Sequence, residues 1–201
     1  MIGIMGGTFN PIHYGHLLMC EFIREEFNLD RILFIPAQNP PHKGTKSIAG
    51  AQERLDMVRL AIKSNPFFEA SEIEMNRSGA SYTIETLREL GESYGDEGRL
   101  NLIIGADSLM QINTWKSYEE IVETADIIVA RRPDTKNRLL ELMAARLKTE
   151  CNARIFLSDA VALDYSSTDI RRRIQNGLSI KYMVPEDVEA YIGEHELYRE
   201  K

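Results

Sequence analysis

The chain has 201 residues, 43% of them hydrophobic, which suits one compact unit with a continuous core. Its 24 basic and 31 acidic residues leave a net charge of -7, which argues against nonspecific adhesion to nucleic acid or to an anionic membrane, so an anionic ligand needs a locally basic pocket. Cys20 and Cys151 match no metal-ligand spacing, no basic leader precedes the Met-Ile-Gly-Ile start, and no apolar run approaches the roughly 18 residues of a membrane span; a reduced, cytoplasmic chain without a disulfide framework is expected.

In chain order, short apolar runs at 2–5, 31–36, 67–75, 100–104, 126–130 and 153–157 read as buried strands. Helical periodicity fills the gaps. Leu17, Cys20, Ile23 and Phe27 recur on one face with Glu21, Arg24 and Glu25 opposite, and Leu55, Val58 and Ile62 recur before Asn65-Pro66 ends the pattern. This alternation predicts βαβ units and an α/β fold around a parallel sheet. Residues 166–176 read as a capped helix stopped by Gly177, and 185–197 as a second helix opening on Pro-Glu-Asp. No linker sets them apart, so the expectation is a single domain over 1–201 with a small helical C-terminal part from about 166.

The segment GGTFNPIHYGH, residues 6–16, connects the first strand to the first helix, where backbone amides and the helix dipole attract phosphate. Gly6 and Gly7 permit unusual backbone angles and close ligand approach, and the spacing of His13 and His16 puts both imidazoles on one helix face. The plainer alternative is a tight turn followed by two surface histidines. The segment has neither the GxGxxG of a dinucleotide fold nor the GKS or GKT of a P-loop. Late in the chain, Ser166, Ser167 and Thr168 open a helix, where hydroxyls cap amides or meet phosphate oxygens, with Arg171 one turn on; an ordinary cap with solvated arginines is the alternative. Asn39-Pro40-Pro41-His42-Lys43 is a stiff proline turn presenting a histidine and a lysine, suited to a monoester phosphate or merely to a surface loop. Trp115 sits in a polar setting, so an exposed ring that stacks on a planar ligand competes with a core tryptophan. Gly105 and Asp107 follow a strand end, where open α/β sheets bind ligands, and Arg131 follows another.

GGTFNPIHYGH closely resembles the opening of the HxGH nucleotidylyltransferases, in particular the bacterial nicotinate-nucleotide adenylyltransferase family, and the resemblance runs from Gly6 to Tyr198. It implies a Rossmann-like, doubly wound sheet and transfer of AMP from ATP to nicotinate mononucleotide, with release of pyrophosphate. It further implies that His13, His16 and Arg171 are catalytic, and that Gly6, Gly7, Thr8, Phe9, Gly105, Asp107, Ser166, Ser167 and Thr168 hold ATP. The mononucleotide falls to Asn39, His42, Lys43, Thr83, Ile84, Trp115 and Arg131, with the amides at the Thr83 helix entry receiving the nicotinate carboxylate. Mg²⁺ is expected to arrive with ATP and to need no protein metal ligands. Within the motifs, Asn10 and Asp169 stand where side chains look free to vary. Self-association is compatible with the sequence but required by nothing in it. The rival readings are an adenylyltransferase for nicotinamide mononucleotide or pantetheine phosphate, and a noncatalytic ATP sensor.

Overall fold

The structure, a computed structural model, describes residues 1–40, 48–95, 98–131, 137–160 and 165–199. The strands are β1 (Ile2–Gly7), β2 (Arg31–Pro36), β3 (Phe68–Ala70), β4 (Asn101–Gly105), β5 (Asp126–Ala130) and β6 (Ile155–Ser158). They form one six-stranded sheet in the order β3-β2-β1-β4-β5-β6, and every pairing is parallel. The helices are α1 (Tyr14–Glu26), α2 (Ala51–Ile62), α3 (Thr83–Tyr94), α4 (Ala106–Met110), α5 (Tyr118–Thr124), α6 (Asn137–Glu150), α7 (Ser167–Gln175) and α8 (Glu186–Glu194).

Because side chains alternate along a strand, the apolar runs feed both faces at once. Ile2, Ile4, Leu33, Ile35, Leu102, Ile104, Ile127 and Val129 pack beneath α3, α5 and α6. Ile32, Phe34, Ile103 and Ile128 point the other way, into a core completed by α1, α2, α7 and α8. The last two helices contribute Ile170, Val188 and Ile192 to that second core, so they cover the sheet as α1 and α2 do. Close packing explains one glycine directly: a Cβ on Gly3 would stand 2.9 Å from Leu29 and 3.0 Å from Ile32. Among the described residues, no helix is long and apolar enough to cross a membrane.

The strand expected over 67–75 is much shorter. β3 pairs only along Ile32–Phe34 of β2, which ends at Pro36, a residue without an amide to donate. The chain leaves the sheet at Ser71 and turns so that Glu74 is buried against α3, where the Thr86 hydroxyl donates to its Oε1 at 2.5 Å. Gly177 ends α7 as expected, in the left-handed conformation at φ 66°.

Candidate active site

Strand order reverses between β1 and β4, and the crevice outside the carboxyl ends of such strands is where open α/β sheets bind ligands. A cleft of about 450 Å³ opens there. Gly6, Gly7 and Thr8 form one wall, Ser81, Tyr82 and Thr83 another, and Asp107, Trp115 and Lys116 a third.

On the first side, the loop after β1 is held by its carbonyls. Arg171 donates to the Asn10 oxygen at 2.8 Å, the Ser167 hydroxyl to the Pro11 oxygen at 2.9 Å, and Arg54 to the Thr8 oxygen at 2.9 Å. The late helix therefore begins against the glycine-rich loop, across more than 150 residues of sequence. Ser166 caps α7 by accepting from the Asp169 amide at 3.0 Å, and Thr168 accepts from Arg171 at 3.4 Å. Gly6 fronts open space, as ligand approach requires, but neither it nor Gly7 has a positive φ. The unusual backbone angle sits on Phe9, at φ 46°, with its ring against Gly7.

His13 is the N-cap of α1 and His16 its third residue, so the spacing that predicted a shared face produces stacked rings with centroids 3.7 Å apart. The His13 amide donates to His16 Nδ1 at 3.3 Å, which leaves the ring proton of neutral His16 on Nε2. His13 is buried, its Nδ1 finds no partner among the described residues, and burial lowers its pKa to about 4. It is a neutral imidazole at neutral pH. Neither histidine, nor Phe9, Arg171 or residues 166–168, lines the cleft itself; they gather along the loop that forms its first wall.

On the second side, Glu85 and Thr86 turn their amides back to the Tyr82 carbonyl, leaving those of Thr83 and Ile84 at the helix mouth without an intrahelical acceptor. Ile84 is fully buried in the core and, unlike Thr83, does not line the cleft. Trp115 is half-buried and packs against the core while lining the cleft, which corrects the expectation of an exposed ring. Lys116 donates to Glu85 at 2.7 Å and lies 4.2 Å over the Tyr82 ring, latching the tryptophan segment to α3. Asp107 occupies the first turn of α4, whose N-cap is Gly105, and lines the cleft.

Two expected contacts stand apart from the cleft. Asn39 pairs its backbone with Ser81 and donates from its side chain to the Gly79 oxygen at 2.9 Å, so it braces the approach to α3. Arg131 reaches Asp159 at 3.3 Å, beyond the end of β5. His42 and Lys43 lie outside the described residues. Asn10 and Asp169 are not free: Asn10 Oδ1 accepts from the Ala49 amide at 3.0 Å and the Tyr198 hydroxyl at 2.8 Å, and Asp169 accepts from Ser166 and Arg172, each at 2.7 Å.

Sequence reasoning missed Arg54, Glu74, Lys116 and Tyr198. Arg54 did leave a signal, because it precedes Val58 by one turn on the buried stripe of α2. It is 1% exposed and donates to the carbonyls of Ala49, Thr8 and Gln38 at 3.0, 2.9 and 3.2 Å. Burial lowers its pKa, with the phenol of Tyr198 and the carboxylate of Glu74 opposing. Glu74 lines the cleft with its Oε2 buried and without a partner among the described residues.

Comparison with known proteins adds independent findings. Residues 4–173 match the cytidylyltransferase-like family model. The chain is 42% identical over 198 residues to a probable nicotinate-nucleotide adenylyltransferase of Thermoanaerobacter sp. (strain X514), covering 98% of this chain and 94% of the relative. It is 45% identical to the probable nicotinate-nucleotide adenylyltransferase of Moorella thermoacetica, covering 98% and 91%. Among solved structures, Plasmodium falciparum nicotinic acid mononucleotide adenylyltransferase complexed with NaAD superposes with a TM-score of 0.78 at 18% identity, covering 98% of this chain and 96% of that one, a likeness of fold.

Proposed function

This chain belongs to the cytidylyltransferase-like family, among the nicotinate-nucleotide adenylyltransferases, and from that membership we propose that it transfers AMP from ATP to nicotinate mononucleotide, releasing pyrophosphate and making nicotinate adenine dinucleotide for NAD biosynthesis. One observation carries the geometric side of the reading: a single cleft runs from the amide-rich loop after β1 to the start of α3 and to Trp115. A triphosphate and a pyridine mononucleotide then share one chamber, with the reacting phosphates between them.

In this reading an oxygen of the mononucleotide phosphate attacks the α-phosphorus of ATP. The new P–O–P bond forms as the bond from the α-phosphorus to the β-phosphate oxygen breaks, and the leaving pyrophosphate takes that electron pair. A phosphate nucleophile is already anionic at neutral pH, so no strong base is needed and catalysis rests on positioning and charge. His16, with its proton held on Nε2, and the neutral His13 face the α-phosphate. Arg171 uses two donors on Asn10 and Thr168 and keeps the remainder of its fork for the departing pyrophosphate. The Thr83 and Ile84 amides receive the nicotinate carboxylate, favoured by the helix dipole, while Trp115 stacks on the pyridine.

Mg²⁺ enters this proposal as a companion of ATP. Among the described residues no cluster of three His, Cys, Asp or Glu side chains is arranged to hold an ion, and Asp107 and Glu74 are the carboxylates lining the cleft. Bound with ATP, the ion would neutralise charge on the phosphates, with Asp107 and Glu74 the cleft side chains that could meet it. A cytoplasmic setting belongs to the same proposal.

The test is pyrophosphate release from ATP and Mg²⁺ with nicotinate mononucleotide, nicotinamide mononucleotide and pantetheine phosphate as separate acceptors. Turnover led by nicotinate mononucleotide is expected. Turnover with pantetheine phosphate alone would reassign the acceptor, and silence with all three would leave an ATP-binding module.

A further inference from the structure

A buried guanidinium is costly to place in a core unless its donors are all met, and an apolar side chain of similar volume commonly stabilises a fold as well or better. Arg54 is nevertheless almost completely buried on α2, whose other buried residues, Leu55, Met57, Val58 and Ile62, are all apolar. Among the described residues no carboxylate stands within ion-pair distance of it. Its fork instead meets three backbone carbonyls from three separate stretches of chain: Thr8 in the glycine-rich loop, Gln38 after β2, and Ala49 before α2. Core packing alone gives no reason for such a residue.

The Thr8 bond carries the consequence. A trans peptide is planar, with its carbonyl and the next amide pointing in opposite directions, so holding the Thr8 oxygen from inside the core aims the Phe9 amide away from it. The Thr8–Phe9 bond is trans, and Phe9 itself adopts φ 46°, a conformation that a bulky residue keeps only when its surroundings enforce it. We propose that Arg54 is a positioning residue for ATP: its contact with the Thr8 carbonyl sets the peptide plane that turns the Phe9 amide toward the triphosphate, and its contact with Gln38 ties that plane to the end of β2. The proposal rests on the reading of the glycine-rich loop as the ATP site.

Arg54→Lys separates geometry from charge, because an ammonium keeps the positive charge but cannot hold three diverging carbonyls at once. The expected result is a folded protein whose affinity for a nonhydrolysable ATP analogue, measured by calorimetric titration, falls about tenfold to a hundredfold, the scale of a misplaced contact. The KM for ATP should rise in parallel. Val58→Ala, a cavity in the same helix, should lower the melting temperature and leave ATP affinity unchanged, which marks what a merely structural role would do. Arg54→Gln, titrated in the cold, serves if the lysine variant unfolds. In the wild type, amide exchange at Phe9 should slow when the analogue binds. Wild-type affinity in a folded Arg54→Lys protein, or Phe9 exchange indifferent to the analogue, would overturn the inference alone. A wild-type protein that binds no ATP analogue would overturn the reading of the loop and the inference with it.

Discussion

The two sides of the cleft, the proposed phosphate wall along the loop after β1 and the proposed acceptor wall of the other two, are built from different interactions. The phosphate wall is held from within: Asn10, His13 and Arg54 are 3%, 5% and 1% exposed, and the loop carbonyls are bound by side chains from α2 and α7. The acceptor wall is held from outside, by a Lys116–Glu85 pair whose side chains are 50% and 30% exposed and by a cation over the Tyr82 ring. Buried hydrogen bonds hold a rigid geometry and are indifferent to salt, whereas exposed pairs contribute little and are screened. On the proposed reading, the side that meets the triphosphate is thus fixed by the core, and the side that meets the pyridine is adjustable.

The comparison breaks most visibly at His16. Replacing it with alanine should reduce kcat about 100- to 1,000-fold, the usual loss of a preorganised donor, with the circular dichroism spectrum retained. An equally active, folded variant would remove His16 from the chemistry. The next effect concerns His13, whose pKa burial holds at about 4, below the 6.5 of a solvated imidazole. The unfolded chain takes up this proton first as pH falls, so folding stability is intact above 6.5 and declines below it. The loss reaches about 3 kcal/mol by pH 4. His13→Asn keeps a good helix cap and should flatten that part of the urea-midpoint profile between pH 7 and 4. A wild-type profile no steeper than the variant's would show that the imidazole is solvated.

On the acceptor wall the effects shrink. Trp115→Ala should raise the KM for nicotinate mononucleotide about tenfold through lost stacking, with a smaller change for ATP. Equal changes for both would mean that the ring supports the whole cleft and not one ligand. Glu85→Gln should shift that same KM only about twofold, and raising the salt concentration on wild type should reproduce the shift. A tenfold loss there would show the acceptor wall to be as rigid as its neighbour.

Most of the fold was legible because its strands are short, apolar and buried on both faces, the pattern of a parallel sheet. The exception was β3, where Phe67-Phe68 suggested a longer strand but the ladder ended at Phe34, short of Pro36, and the burial of Glu74 drew the chain toward α3. Local motifs pointed to the loop after β1 and to the Ser166 cap, since each works through neighbouring backbone groups, while the α3 entry came only from the family resemblance. Long-range partners could not be read this way. Asn10 looked variable because nothing nearby in sequence needs its amide; its partners are Ala49 and Tyr198. Asn39 and Arg131 follow strands at plausible positions, yet their side chains turn to Gly79 and Asp159, choices made by loops whose paths no periodicity encodes.

The clamp on the glycine-rich loop also sets an order of events in synthesis. β1 leaves the ribosome early, but Ser167 and Arg171 must be made before the carbonyls of Pro11 and Asn10 are bound, and Tyr198 before the Asn10 side chain is. The contacts span 156, 161 and 188 residues, the kind of sequence separation that slows folding because ordering entropy is lost long before the contact forms. A nascent chain carrying every glycine and histidine of the loop is therefore still without the contacts from α7 and Tyr198 that hold it. If this loop is the ATP site, as proposed, chains that end before the last helices are expected to bind the nucleotide weakly or not at all.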